Sequence, residues 1–123
     1  MRLSKSEEEL MELIWRQDKV FVKDLIEKYP DPKPATTTIL TLLKRMQEKG
    51  FVAYRTIGNS REYYPLVYKV DYFSKHVNGL IENYFDNSPM QFASFFTTAT
   101  NLTKAELADL RKIVDLEIKR KKK

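Results

Sequence analysis

The stretch PATTTILTLLKRMQEKGFVAYRTIGNSREYYPL, residues 34–66, joins a helical pattern to a strand pattern. Its first half predicts a helix from about Thr36 to Lys49, with Gly50 placed to end that helix in a left-handed conformation. Its second half consists of two β-branched and aromatic runs separated by Gly58-Asn59, which predicts a β-hairpin. The chain is therefore expected to pass directly from a helix into a hairpin.

The predicted helix begins with four β-branched residues, Thr36 to Ile39, which are poor helix formers. At the helical spacing of about 100° per residue, one side of the helix is apolar and the other polar. The apolar side carries Ile39, Leu42, Leu43 and Met46. The opposite side carries Thr37, Thr41, Lys44 and Glu48, flanked by Thr38 and Arg45. We expect the helix to bury its apolar side and to expose the threonines and the basic residues.

Two further helices are predicted before this stretch. The first spans Lys5 to Arg16, and both Ser4 and Ser6 are N-cap candidates with a glutamate three residues on. The second begins near Val22 and is stopped by the three prolines of residues 29–34, YPDPKP. Three helices followed by a β-hairpin is the order of a winged helix-turn-helix domain.

Beyond Leu66 the apolar residues recur at spacings of three and four, which predicts further helices. Thr103 and Glu106 form a capping box ahead of the last one. Three short helices rich in aromatic residues have little surface of their own to bury, so we predict that they pack against a second copy of the chain. The side chains expected in this homodimer interface are Phe73, Val77, Leu80, Ile81, Tyr84, Phe85, Phe92, Phe96, Leu107, Leu110 and Val114.

These patterns predict a mainly α fold with a small β-hairpin. The expected organisation is a winged helix-turn-helix domain over residues 1–69, a C-terminal helical dimerisation region over 70–118 and a disordered basic tail over 119–123. A length of 123 residues and a hydrophobic content of 42% suffice for a packed core. The chain has no run of about 18 apolar residues, and its N-terminus leads into an acidic helix, so we expect a cytoplasmic protein without membrane insertion.

The basic charge of the chain is concentrated in one folded segment. The formal net charge of +5 comes from segments of opposite sign: residues 1–32 carry −2 and residues 71–118 carry −3. Residues 33–70 carry +5, with seven Lys and Arg against two Glu, and the tail KRKKK adds a further +5. A basic segment that contains the threonine-rich helix is typical of a nucleic-acid-binding surface.

The threonine-rich helix is predicted to read DNA. In a helix-turn-helix the second helix of the motif enters the major groove, where a threonine hydroxyl bonds bases or phosphates, its methyl group contacts thymine, and it can cap the helix. The poor helix propensity costs a few tenths of a kcal/mol per residue, whereas a good base contact is worth roughly 1–3 kcal/mol. The predicted contacts to double-stranded DNA are Thr36, Thr37, Thr38, Thr41, Lys44 and Arg45 on the helix, and Arg55 and Arg61 on the hairpin.

Two other interpretations of the same residues stay open. The exposed charges could simply solvate a helix and a hairpin, and the domain could be a protein-interaction module without sequence-specific DNA binding. An enzyme is disfavoured, because the chain has only three glycines, no phosphate-binding loop and no recognisable catalytic carboxylate pair.

Several conspicuous residues are assigned structural roles. Trp15 follows an apolar pair and is expected in the core. His76, the single histidine, is expected at the surface or in an interface, since one imidazole cannot build a typical zinc site. Phe92, Phe95 and Phe96 either line an effector pocket or, more plainly, form the dimer core. With no cysteine in the chain, disulfides and thiolate metal sites are excluded, and we predict no cofactor and no metal.

The sequence resembles the penicillinase repressors, the BlaI/MecI/CopY family of winged-helix transcriptional regulators, over about residues 4–115. The resemblance rests on the order and spacing of four segments: SEEELMELIWRQ, TTTILTLLKRMQEKGFV, REYYPLV and LTKAELADLRKIV. The family's recognition helix carries the pattern T-(V/I)-x-T-L-x-x-R-L, onto which Thr37, Thr38, Thr41 and Arg45 fall. Arg61, Tyr63 and Tyr64 fall on its wing.

The resemblance implies a homodimeric repressor on a palindromic operator, released by proteolysis through a membrane sensor with a zinc-metalloprotease domain or, in one branch, by copper. Three features of this sequence depart from the family pattern. Leu40 stands where the family is frequently polar, and a leucine there favours contact with a thymine methyl group or local packing. Phe95-Phe96 replaces the scissile Asn-Phe bond, which implies either no cleavage by the usual protease or one with another sequence preference. The absence of cysteine disfavours copper sensing.

Overall fold

The computed structural model describes residues 2–122, and the chain divides after Ser74 into two units. This division lies five residues beyond the boundary expected after residue 69. The helices of the described residues are α1 (Lys5–Gln17), α2 (Val22–Glu27), α3 (Thr36–Glu48), α4 (Lys69–Tyr84), α5 (Pro89–Ala99) and α6 (Lys104–Arg120). The strands are β1 (Val20–Phe21), β2 (Val52–Ile57) and β3 (Ser60–Pro65).

The first unit contains a three-stranded antiparallel sheet of order β1-β3-β2. The hairpin of β2 and β3 is as expected, with Ile57 opposite Ser60 and Gly58 at a φ of 61° in the turn. The prediction of a hairpin alone was incomplete, because Val20 and Phe21 add a short strand beside β3. Two residues are too few to show the alternation that identifies a strand in a sequence.

The core of the first unit lies between the helices and the sheet. Helix α1 contributes Leu10 and Ile14 from its apolar stripe, and Ser4 with Glu7 forms the expected capping box at its start. Ser6 is not the cap, since α1 already includes it. Full burial of side chains of this size contributes roughly 1.5–3 kcal/mol each. The other buried apolar residues are Leu3, Met11, Val20, Leu25, Ile39, Leu43, Met46, Phe51, Val52, Tyr63 and Tyr72.

Helix α3 ends in the left-handed turn that the sequence predicted. Gly50 has a φ of 82°, and its N–H donates to the Gln47 carbonyl at 3.0 Å. The Phe51 N–H donates to the Met46 carbonyl at 2.9 Å, which completes a Schellman motif. Because Phe51 is buried directly after this turn, β2 begins at a defined position relative to α3.

Trp15 packs against the core cluster, as expected. Its indole Nε1 donates to the Val67 carbonyl at 2.8 Å, and its ring lies 5.8 Å from Tyr72 and 6.0 Å from Phe73 between centroids. Phe73, predicted at the dimer interface, therefore lies in the first unit, where part of its ring remains exposed. These contacts tie the start of α4 to the winged-helix domain.

The second unit holds the end of α4 together with α5 and α6. The capping box of Thr103 and Glu106 forms as predicted. Phe85 lies against Phe92 and Phe95, with ring centroids 5.5 and 5.2 Å apart. Helix α6 continues to Arg120, which pairs with Glu117, so the start of the predicted disordered tail is helical. An ion pair at spacing i,i+3 and bases at a helix C-terminus both favour such an extension.

Candidate nucleic-acid interface

One exposed face of α3 carries the predicted DNA contacts of this helix. Its buried residues are Ile39, Leu43 and Met46, and the 3.6-residue period turns the intervening side chains to the surface. Leu42, predicted on the apolar side, is half-buried. The exposed residues are Thr36, Thr37, Thr38, Leu40, Thr41, Lys44 and Arg45.

The N-terminus of α3 has no side-chain cap, so the expected capping role of the threonines was wrong. The N-cap residue is Ala35, whose carbonyl accepts from the Thr38 and Ile39 N–H groups. The Thr36 and Thr37 N–H groups come before Thr38, the first residue whose N–H bonds within the helix, and they point out of the helix start. The Thr41 hydroxyl donates to the Thr37 carbonyl at 2.9 Å, which leaves its oxygen free to accept. This end of α3 thus presents backbone donors and the positive end of the helix dipole.

The two hairpin arginines lie on opposite faces of the sheet. In the β2–β3 register Arg55 is opposite Glu62, and Thr56 is opposite Arg61. Arg55 forms an ion pair with Glu62 at 2.8 Å, so its charge is largely compensated. The structure does not bring Arg55 together with the exposed face of α3.

Arg61 lies over an aromatic ring. Its guanidinium carbon is 4.3 Å from the centroid of the Tyr54 ring. Tyr54 and Tyr63 are directly opposite each other in the register and their rings contact at 5.3 Å between centroids. A hydrogen bond with Tyr63 and the proximity of Tyr54 raise the pKa of the Arg61 guanidinium, which stays charged at any physiological pH.

A concavity of about 470 Å³ separates α3 from the hairpin. It brings together three of the predicted residues, Leu40 and Lys44 from α3 and Arg61 from β3. Sequence analysis did not assign the remaining lining residues to the site: Gln47, Glu48, Tyr54 and Tyr63. The alternation of the hairpin places positions 54, 56, 61 and 63 on one face, so the register of the two-residue turn was the signal that could have found the tyrosines.

The far end of α3 is held by a partly buried ion pair. Lys49 Nζ donates to Glu7 Oε1 at 2.6 Å, and the Glu7 side chain is 1% exposed. Burial raises the pKa of Glu7, but hydrogen bonds from Lys49 and Ser4 outweigh it, so the net pKa lies below the ordinary value. Lys49 is therefore occupied within the domain and is not part of the exposed basic face.

Residues 2–122 contain neither a cluster of metal ligands nor a helix that could span a membrane. No group of three or more metal-ligating side chains comes together in this part of the chain. No helix in the described part is both long and apolar enough to cross a membrane.

Comparison with known proteins identifies the family. A family model described as penicillinase repressor matches residues 3–116. The chain belongs to the penicillinase repressor family. Its members are transcriptional repressors and not enzymes. Among the similar proteins are the methicillin resistance regulatory proteins MecI of Staphylococcus aureus strain N315 and of Staphylococcus epidermidis, each 26% identical over 92% of this chain and 93% of the relative.

A solved structure of another repressor is similar to the first unit. The solution structure of the DNA binding domain of the repressor BlaI matches with a TM-score of 0.52 and 26% identity. The match covers 58% of this chain and 88% of that domain. Together with the family match, it confirms the predicted winged-helix fold and shows that this member of the family is a DNA-binding repressor.

Proposed function

We propose that the chain represses transcription as a homodimer that binds a palindromic double-stranded DNA operator, with α3 of each copy in the major groove. The observation that carries this proposal is the exposed face of α3. This face combines threonines, the basic residues Lys44 and Arg45, and an uncapped N-terminus, and it lies beside a hairpin arginine. A winged helix that binds only proteins has no need of this set of hydrogen-bond donors and cations on one face.

The exposed residues of α3 divide by their chemistry. Thr37, Thr38 and Thr41 lie where the N-terminal half of a recognition helix meets base edges, and Arg45 lies one turn beyond Thr41. Leu40, 41% exposed, is suited to contact a thymine methyl group. The free N–H groups at the start of α3 are suited to a backbone phosphate.

The homodimer is supported by the second unit. Helices α5 and α6 contain no buried residue among those described, although both carry large apolar side chains. Val77 and Leu80 are 42% and 43% exposed, and Ile113 is 62% exposed. An apolar surface of this extent is normally covered by a partner, and a second copy of the same chain provides a self-complementary one. Ile113 was not among the residues predicted for the interface; of those that were, the most exposed are Tyr84 and Val114.

Relief of repression is proposed to follow cleavage between Phe95 and Phe96, linked to a membrane metalloprotease sensor. Both side chains are exposed, but the bond lies inside α5. Local unfolding of α5 is required before a protease can bind this segment in an extended form. Co-expression with a membrane metalloprotease sensor, followed by mass spectrometry of the repressor, tests the step. An intact chain after induction would remove proteolysis from the proposal.

A selection from random DNA duplexes tests the DNA-binding proposal. The expected result is a palindromic consensus whose half-sites are about one helical turn apart. Thr38→Ala and Arg45→Ala should each weaken binding to the selected duplex by about 1–3 kcal/mol while the dimer survives. Arg16→Ala is the matched control, because Arg16 is exposed on α1 and paired with Glu12. A chain that enriches no motif would instead be a protein-interaction module.

A further inference from the structure

The concavity between α3 and the hairpin has the chemistry of an anion site. Two cationic side chains line it from different elements, Lys44 from α3 and Arg61 from β3. None of the ion pairs found among the described residues involves either of them. Arg55, the other hairpin arginine, lies on the opposite face of the sheet, where Glu62 neutralises it. The concavity therefore holds the uncompensated positive charge of the hairpin.

The Tyr54 ring restricts the direction of the Arg61 guanidinium. A free arginine side chain has many rotamers, and fixing it on binding costs conformational entropy. Stacking at 4.3 Å on Tyr54 occupies one face of the guanidinium, and the in-plane N–H donors other than the one that bonds Tyr63 stay available. Those donors have the geometry that binds two phosphate oxygens at once.

Tyr54 is itself held in place by the core. Its ring contacts Tyr63, which is 2% exposed and belongs to the core cluster. The two residues are directly opposite each other in the β2–β3 register. The Tyr54 ring under Arg61 is therefore held in position by a core residue of the sheet.

We propose that Tyr54 is a positioning residue for DNA binding, which holds Arg61 so that Arg61 and Lys44 bind one backbone phosphate of the operator in the concavity between α3 and the hairpin. The inference rests on the proposed function and adds to it a residue and a ligand group. Phosphate contacts fix the register of a protein on DNA without reading its sequence. Tyr54 would thus set how α3 is seated while making no contact with DNA itself.

A double-mutant cycle on the full-length chain tests this role with the selected duplex as probe. Tyr54→Leu removes the stacked ring and is expected to weaken binding by about two- to five-fold, whereas Tyr54→Phe keeps the ring and binds like the wild type. Arg61→Ala is expected to weaken binding further and to reduce the slope of log K against log salt by about one. In the Arg61→Ala background, Tyr54→Leu should have no additional effect.

The outcomes separate the inference from the proposed function. A merely structural role of Tyr54 would weaken binding equally in both backgrounds and would overturn the inference, as would wild-type affinity in Tyr54→Leu. If the wild-type chain selects no duplex, the proposed function fails and the inference fails with it. Thermal unfolding of each variant shows whether the sheet is intact.

A second variant tests the phosphate without disturbing the sheet. Glu48, exposed at the end of α3, is the acidic residue among those lining the concavity and repels a phosphate placed there. Glu48→Gln is expected to strengthen binding by about two- to five-fold at low salt, while Glu27→Gln on α2 leaves it unchanged. Equal or weaker binding by Glu48→Gln would overturn the placement of a phosphate in the concavity, even if Tyr54→Leu fails to fold.

Discussion

At the scale of single residues, Glu7 has the most unusual environment in the first unit. It caps α1 through Ser4, and it also accepts a hydrogen bond from Lys49 directly after α3. Its second oxygen, Oε2, is buried and has no hydrogen-bond partner among the described residues. A buried carboxylate is tolerated only where hydrogen-bond donors, here the Ser4 N–H and Lys49, compensate its lost hydration. The pair therefore fixes the end of α3 against the start of α1.

Replacement of Glu7 by glutamine is expected to lower the free energy of unfolding by about 1–3 kcal/mol at neutral pH, because Lys49 loses its charged partner. The folded pKa of Glu7 is lowered, so its stabilisation is present above the ordinary glutamate value of 4.5 and is lost as the pH falls through the lowered pKa. The wild type should therefore lose more stability than Glu7→Gln as the pH falls below 4.5. Urea titrations followed by Trp15 fluorescence measure both effects.

The matched control for this prediction is Glu9→Gln, because Glu9 is exposed on the same helix. It should leave the stability at neutral pH unchanged. An equal loss in the two variants would mean that the negative charge of α1, and not the contact with Lys49, stabilises the domain.

At the scale of one element, the N-terminal end of α3 has low intrinsic stability. Its first residues are β-branched, and its N-cap is Ala35, one of the poorer residues for that position. Its C-terminal half has good helix formers and a Schellman turn at Gly50. Packing of Ile39, Leu43 and Met46 holds the helix in place, so its N-terminal end is left free for a ligand.

Substitutions of Ala35 separate stability from binding. Ala35→Ser and Ala35→Asp should each stabilise the domain by about 1 kcal/mol, since both supply the missing cap. Ala35→Asp should nevertheless weaken operator binding by about ten-fold, because its carboxylate takes the place of a phosphate and repels it. Thermal unfolding and fluorescence anisotropy with the selected duplex measure the two effects.

Ala35→Ser is the matched control, since it caps α3 without adding charge, and it should bind within about two-fold of the wild type. Equal binding by the aspartate and serine variants would show that no phosphate lies at the start of α3.

At the scale of the whole molecule, the chain consists of one unit with a buried core and one without. The core residues belong to the first unit, whereas α5 and α6 bury no residue among those described. The aromatic contacts of Phe85, Phe92 and Phe95 give the second unit some cohesion of its own. In the proposed homodimer, a second copy would supply the apolar surface that these helices lack and would place two winged helices on one operator.

Leu80→Asp should convert the proposed dimer to a monomer at micromolar concentration. The substitution removes a partly exposed apolar side chain from α4 and places a charge in the interface, so the dissociation constant is expected to rise about 100-fold or more. Analytical ultracentrifugation measures it. Asn83→Asp adds the same charge at an exposed polar position of α4 and should remain dimeric. A dimeric Leu80→Asp would place the interface elsewhere.

The sequence alone determined the order of the six helices and the hairpin, the buried face of α3, the capping box of α6 and the left-handed turn at Gly50. These features depend on side-chain period and on hydrogen bonds between residues close in the chain, so local patterns contain them. Tertiary structure decided which partners distant residues meet. It paired Val20 with Tyr63 and Glu7 with Lys49, and it brought Lys44 of α3 to the same concavity as Arg61 of β3. Such pairings depend on strand register and on packing between elements, which no local pattern of a single sequence encodes.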